Sequence, residues 1–207
     1  MRSTKAIIIA IVTGIIILPG CQTIRDAANA LNSLKQLQFK LGDVHNFQAG
    51  GIDISKLSSP SNLSVIDGLK VLNAYNSKKF PVSFALDVLT KNPNTGTSTN
   101  EGTDLIIKRL EWNLYIDDKM TINGVASGWK IPGTGETVTN QLIMNLDLLQ
   151  FFADKGYDDL FNLAFAIGGV SGSSSRLKLT ARVTVDMPFR DVTYPDELTI
   201  VNASFTN

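Results

Sequence analysis

Cysteine and histidine are nearly missing from this chain, which has one of each in 207 residues. A single cysteine excludes an intrachain disulfide framework and any zinc site built on two or more thiolates. A single histidine excludes a multi-histidine metal centre. Net charge is missing too, with 19 basic residues set against 19 acidic ones. Nucleic-acid binding draws its affinity from clustered Lys and Arg neutralising phosphates, so a balanced chain has a poor footing for it. The longest apolar run, from Ala6 to Leu18, is 13 residues, short of the about 20 that cross a bilayer as a helix. Catalytic signatures are absent as well. There is no Gly-x-Ser-x-Gly elbow, and Gly168-Gly169-Val170-Ser171-Gly172 lacks the Lys-Ser/Thr pair of a phosphate loop. Neither an enzyme nor a cofactor is expected. The length suits one domain, which on folding would bury about 70% of its unfolded surface.

What is present starts at the N-terminus. Arg2 and Lys5 precede the apolar run, and Leu18-Pro19-Gly20-Cys21 follows it. A basic flank, a short apolar stretch and small residues before a cut site make a secretory signal peptide. With the lone cysteine directly behind, the segment resembles a bacterial lipoprotein lipobox. Leu18 and Gly20 hold the positions three and one before the cysteine, with Pro19 a less common occupant between them. The resemblance implies removal of residues 1–20, lipidation of Cys21 and a lipidated tether over 21–36. Two or three acyl chains, at about 0.8 kcal/mol per buried methylene, anchor a protein stably without a spanning helix. Loss of Arg2 and Lys5 leaves 17 basic against 19 acidic residues, a mature charge of −2. Gln22 rather than Asp follows the cysteine, which favours an outer-membrane address facing the periplasm.

From Leu37 the pattern becomes strand-like. Leu37, Phe39 and Leu41 alternate, as do Val82, Phe84, Leu86 and Val88, then Leu142, Met144, Leu146 and Leu148, and finally Leu177, Leu179, Ala181, Val183, Val185 and Met187. Ile106, Leu110, Trp112, Leu114 and Ile116 are assigned to one face of a further strand. Two-faced strands separated by Gly- and Pro-containing turns indicate an antiparallel sandwich or barrel. Two segments read as helices instead. Leu63, Ile66, Leu69, Leu72 and Tyr75 recur at helical spacing after Ser61, a candidate cap. Asp147 to Ile167 reads as a helix broken near Gly156, its second piece opened by Asp158 and Asp159 and closed by Gly168-Gly169.

An ordered set of motifs runs through the strands: Asn92-Pro93-Asn94, then Leu110-Glu111-Trp112-Asn113-Leu114-Tyr115-Ile116-Asp117, then Ile122-Asn123-Gly124-Val125-Ala126-Ser127-Gly128 and Ile131-Pro132. Over about residues 80–187 this order and spacing resembles the type 2 late embryogenesis abundant proteins, the water-stress and hypersensitive-response (WHy) domain. The resemblance implies an all-β fold, an immunoglobulin- or fibronectin-III-like antiparallel β-sandwich with one or two inserted helices, occupying 37–207 as a single domain. It also implies a non-enzymatic role in stress or envelope protection. The turn has a physical reading of its own: Pro93 cannot donate to a ladder, and Asn side chains bond turn backbone.

Other constellations read as structural. Asp43 and His45 are two apart on an expected strand, but no Ser is placed beside them. Asp117-Asp118 and Asp158-Asp159 lack the alternating oxygen ligands of a calcium loop and are taken as a turn and a helix start. Trp112 and Trp129 are taken as core and edge aromatics. Two functions from different classes follow. The first is a lipid-anchored protective or scaffolding sandwich whose partner is the membrane. The second is a binding module holding an acyl chain or extended peptide in an apolar cleft between the sandwich and helix 147–167, lined by Phe151, Phe152, Phe161 and Phe165.

Overall fold

A computed structural model describes residues 34–97, 100–102, 104–169, 174–187 and 191–202. The expected signal peptide, Cys21 and most of the segment read as a tether lie outside the described residues, as do Ser171–Ser173.

Alternating apolar residues build two antiparallel sheets. In the first, β1 (Gln38–Ala49) lies between the short β2 (Ile52–Asp53) and β3 (Pro81–Lys91), and the outer strand is β9 (Thr137–Asp147). In the second, β6 (Leu105–Ile116) is flanked by β10 (Leu177–Asp186) on one edge and by β7 (Lys119–Ala126) and β8 (Trp129–Ile131) on the other. The free edge of β10 is shared by β11 (Val192–Thr193) and β12 (Leu198–Ile200). A small hairpin, β4 (Gly96–Thr97) and β5 (Asn100–Glu101), stands apart. Inward residues of both sheets form one core: Phe39, Leu41, Phe84, Leu86 and Met144 from the first meet Leu110, Leu114, Leu179, Ala181 and Val183 from the second. The architecture is a β-sandwich with inserted helices, as the strand alternation and the WHy resemblance imply.

Three local departures from the sequence reading have physical causes. Ile106 does not share a face with Leu110: it is exposed, while Leu105 and Ile107 are buried. Opposite β10, Thr184 pairs with Arg109 but Val185 pairs with Ile107, leaving Lys108 as an extra residue. A bulge of one residue inverts the period-two pattern on either side of it. The domain also begins earlier than Leu37, because Leu34, from the segment read as tether, is buried in the core. Finally, Ser61 does not cap the first long helix. Ser59 caps a 3-10 turn at Pro60–Asn62, and Ser64 caps α1 (Val65–Asn76). The Ser64 hydroxyl accepts the Asp67 N–H at 3.1 Å and donates to its carboxylate at 2.8 Å.

The second helical segment breaks as expected into α2 (Leu148–Phe151) and α3 (Tyr157–Gly168), with Asp158 and Asp159 in the first turn of α3 and Gly169 at its end. Asp147 secures the junction by accepting the backbone N–H groups of Phe80 at 2.8 Å and Leu149 at 3.0 Å. α3 packs against β1 so closely that a Cβ on Gly168 would overlap the Phe47 ring. No helix of the described residues is long and apolar enough to cross a membrane.

Candidate functional site

The four phenylalanines expected to line a cleft are taken up by packing. Phe152 and Phe161 are buried in the core, and Phe151 and Phe165 are half-buried against it. Tyr157, Phe161 and Phe165 follow one another along α3 with ring centroids 6.3 and 6.4 Å apart. The buried face of α3 is therefore closed by its own aromatics and by Leu160, Leu163, Ala164 and Ile167. Desolvation, with the adjacent Asp158 carboxylate adding to it, raises the Tyr157 phenol above its ordinary value.

A surface depression of about 350 Å³ lies elsewhere, on the second sheet, among Glu111, Asn113, Asn123, Val125, Arg182 and Glu197. Asn113, Glu197 and Glu111 already engage each other or near neighbours. Asn113 Nδ2 donates to Thr180 Oγ1 at 3.1 Å and to Glu197 Oε1 at 3.2 Å, and Thr180 Oγ1 donates to the same carboxylate at 2.7 Å. Glu111 is paired with Arg109 at 2.8 Å. The Trp112 ring and Gly124 also line it, but the charged and polar side chains around them make it a poor seat for an acyl chain.

The Asn92-Pro93-Asn94 motif is a structural turn. Asn92 is buried and its Oδ1 accepts the Asn94 N–H at 3.0 Å, turning the chain after β3. Asp117 and Asp118 form the two-residue hairpin between β6 and β7 with φ of 48° and 62°. Positive φ at both central positions is the I′ geometry that matches strand twist. Arg176 holds Asp117, and Lys178 reaches Asp118 at 2.8 Å, lowering the Asp118 pKa below the usual carboxylate range. Trp112 and Trp129 are buried. His45 does not pair with Asp43. Bulges in β1 place it across from β3, where Nε2 meets Asp87 Oδ2 at 2.9 Å. Asp87 also accepts Gln141 Nε2 at 2.9 Å, so the carboxylate is shared across three strands as an outer-face bridge. Among the described residues no cluster of His, Cys, Asp or Glu could hold a metal ion.

No protein-family model matches the chain, and no curated protein does. Among solved structures it is similar to a crystal structure of a protein from Archaeoglobus fulgidus, at 7% identity and a TM-score of 0.32, over 77% of this chain and 92% of that one. It is also similar to the solution structure of a protein described as a candidate late embryogenesis abundant (LEA) protein. That match has 13% identity and a TM-score of 0.33, over 85% of this chain and 78% of that one.

The most unusual surface is on α1. Val65 is 82% exposed, Ile66 69%, Leu69 61% and Leu72 40%, whereas Val71 is the helix's one buried residue. At 100° per residue these four exposed side chains fall within about a third of the helix circumference, an arc they share with the exposed Asn73 and Asn76. The opposite side holds α1 to the body: Val71 lies against Gly50, and Tyr75 meets the Tyr157 ring edge-on at 5.7 Å. Three of the five residues that made this helix legible as amphipathic, Ile66, Leu69 and Leu72, are thus turned outward, while Leu63 and Tyr75 pack against the core. Hydropathy spacing reports that a helix has two faces and not which face meets the core. Val65 went unread because it stands beside Ile66, outside the i, i+3 series.

Proposed function

We infer that this chain is a lipid-anchored, non-enzymatic protein of the cell envelope that acts through its surface in a stress-protective or scaffolding role. The observation that carries this reading is the placement of the one cysteine, Cys21, immediately after a basic-flanked apolar run and Leu18-Pro19-Gly20. The ordered WHy-like motifs support the role, and three of their positions have structural parts in the sandwich: Asn92 closes a turn, Asp117 opens a hairpin with Asp118, and Gly124 lies against the Trp112 ring. The anchor faces the periplasm from the outer membrane, and the membrane is the first partner. The cleft reading has less support, because Phe152 and Phe161 are in the core and Phe151 and Phe165 pack half-buried against it.

Mass analysis of the mature N-terminus tests the anchor. Processing before Cys21 with a diacylglyceryl modification is expected, and a Cys21→Ser chain that is still cleaved and released normally would contradict it. Membrane fractionation tests the address, with co-sedimentation in the inner-membrane fraction counting against the outer one. A deletion strain should lose viability on drying or osmotic shock, and an unaffected strain removes the protective role.

A further inference from the structure

We propose that the outward face of α1 is an interfacial membrane-binding element, seating Val65, Ile66, Leu69 and Leu72 in the headgroup region of an anionic bilayer. The occupant is chosen by charge and reach as well as by exposure. From Lys56 to Lys79 the chain carries Lys56, Lys70, Lys78 and Lys79 against Asp67 alone, a local charge of +3 within a mature chain of −2. All four lysines are exposed. Lys70 stands on α1, where it also pairs with Asp67 at 2.9 Å, and Lys78 and Lys79 follow just past its C-terminus. Exposed apolar side chains with lysines nearby suit a helix that lies in a bilayer interface, where basic residues are drawn to anionic lipid.

The helix is also built to stand without a protein partner on that face. Its N-terminus is closed by Ser64 and Asp67. At its C-terminus the Lys78 N–H bonds the Tyr75 carbonyl at 2.9 Å and the Lys79 N–H bonds the Ala74 carbonyl at 3.1 Å. This closure puts Lys78 in the left-handed region, at φ 59°, a position where glycine is the least strained residue. A cation occupies it instead.

Reach is consistent with an anchor at Cys21, and in this respect the inference rests on the reading above. β1 runs its 12 residues, about 40 Å at strand rise, from the end where the tether enters to the end where Gly50, β2 and α1 follow. The 13 residues 21–33 can extend over at most about 45 Å. A lipid at Cys21 and the face of α1 can therefore reach one bilayer surface while the sandwich lies along it.

The test uses the mature chain carrying Cys21→Ser, which keeps every described residue and removes any acyl contribution, in flotation with vesicles of phosphatidylethanolamine and phosphatidylglycerol. Wild-type α1 is expected to carry the protein up with the vesicles. Binding should fall about tenfold or more on pure phosphatidylcholine or in high salt. Ile66→Ser with Leu69→Ser should weaken it by about thirtyfold or more. Lys78→Glu with Lys79→Glu should abolish the preference for anionic lipid, whereas Ile106→Ser, an exposed apolar residue on the second sheet, should change nothing. Circular dichroism and thermal melts establish that each variant is folded. Failure of the Cys21→Ser chain to float, or equal flotation of the α1 double variant, overturns the proposal while leaving the anchor to be judged by the mature N-terminal mass. Wild-type dimers in sedimentation that dissociate in the same double variant would assign the face to a second copy of the chain and overturn it as well.

Discussion

α1 and α3 are both 12-residue amphipathic helices, and the sandwich uses them in opposite ways. α3 turns six residues, Phe161 and Ile167 among them, into the core and is gripped at Gly168 by the Phe47 ring. α1 buries only Val71 and presents its larger apolar side chains to solvent. α3 is held by packing. α1 is held by its caps and by the inward contacts of Val71 and Tyr75. The difference shows that the same periodicity serves a structural helix and an interaction helix, and that termini distinguish them: α3 begins at Gly156 with no side-chain cap, whereas α1 has Ser64 and Asp67. A helix without deep packing has to secure its ends locally, since short helices are marginal in water.

The largest test of this contrast truncates one apolar residue on each helix. Phe161→Ala is expected to lower unfolding free energy by about 3–5 kcal/mol, the range for a buried aromatic. Leu69→Ala should stay within about 0.5 kcal/mol, as surface changes do. Chemical denaturation reads both, and comparable losses would show that α1 packs as α3 does. The glycines sharpen the point. Gly168→Ala forces a methyl into the Phe47 ring and should cost about 1–3 kcal/mol. Gly68→Ala meets nothing within 4 Å and should stabilise by about 0.5–1 kcal/mol through helix propensity. Opposite signs in thermal melts are the expected result, and equal signs would break the comparison.

Removing the cap should be felt on α1 alone. Ser64→Ala is expected to cost about 1 kcal/mol and to speed amide exchange from Val65 to Leu69, leaving α3 unchanged. The smallest effect is a titration. The Lys70 ammonium, then the Ser64 hydroxyl, hold the Asp67 carboxyl below its ordinary value of 3.8. A depressed folded-state pKa contributes stability that is present above 3.8 and is lost as pH falls through the lower folded value. Carboxyl-carbon NMR should therefore give a midpoint below 3.8 that moves up in Lys70→Met. A midpoint at or above 3.8 would show that the cap does not bind the carboxylate.

Most of the sandwich was legible because alternation is a strong local signal. The strands from Val82 to Val88 and from Leu177 to Val185 have their expected faces, and the break near Gly156 is where its turn residues lie. Ile106 was misassigned because the extra residue at Lys108 is defined by the partner strand β10, which local alternation does not contain. The His45–Asp87 bridge was invisible for the same reason: its partners are 42 residues apart and meet only through the β1–β3 register. The four phenylalanines of the 147–167 segment were visible, but their packing in and against the core was not.

By itself the sequence determined the local events: where strands alternate, where Pro93 and the Asp117-Asp118 pair turn the chain, and which side of each helix is apolar. Those depend on neighbours within a few positions. Tertiary structure decided which apolar sides are covered, because burial is settled by what the remainder of the chain brings alongside. Gly168 and Phe47 close over α3, and α1 meets the body through Val71 and Tyr75 with its apolar face left outside.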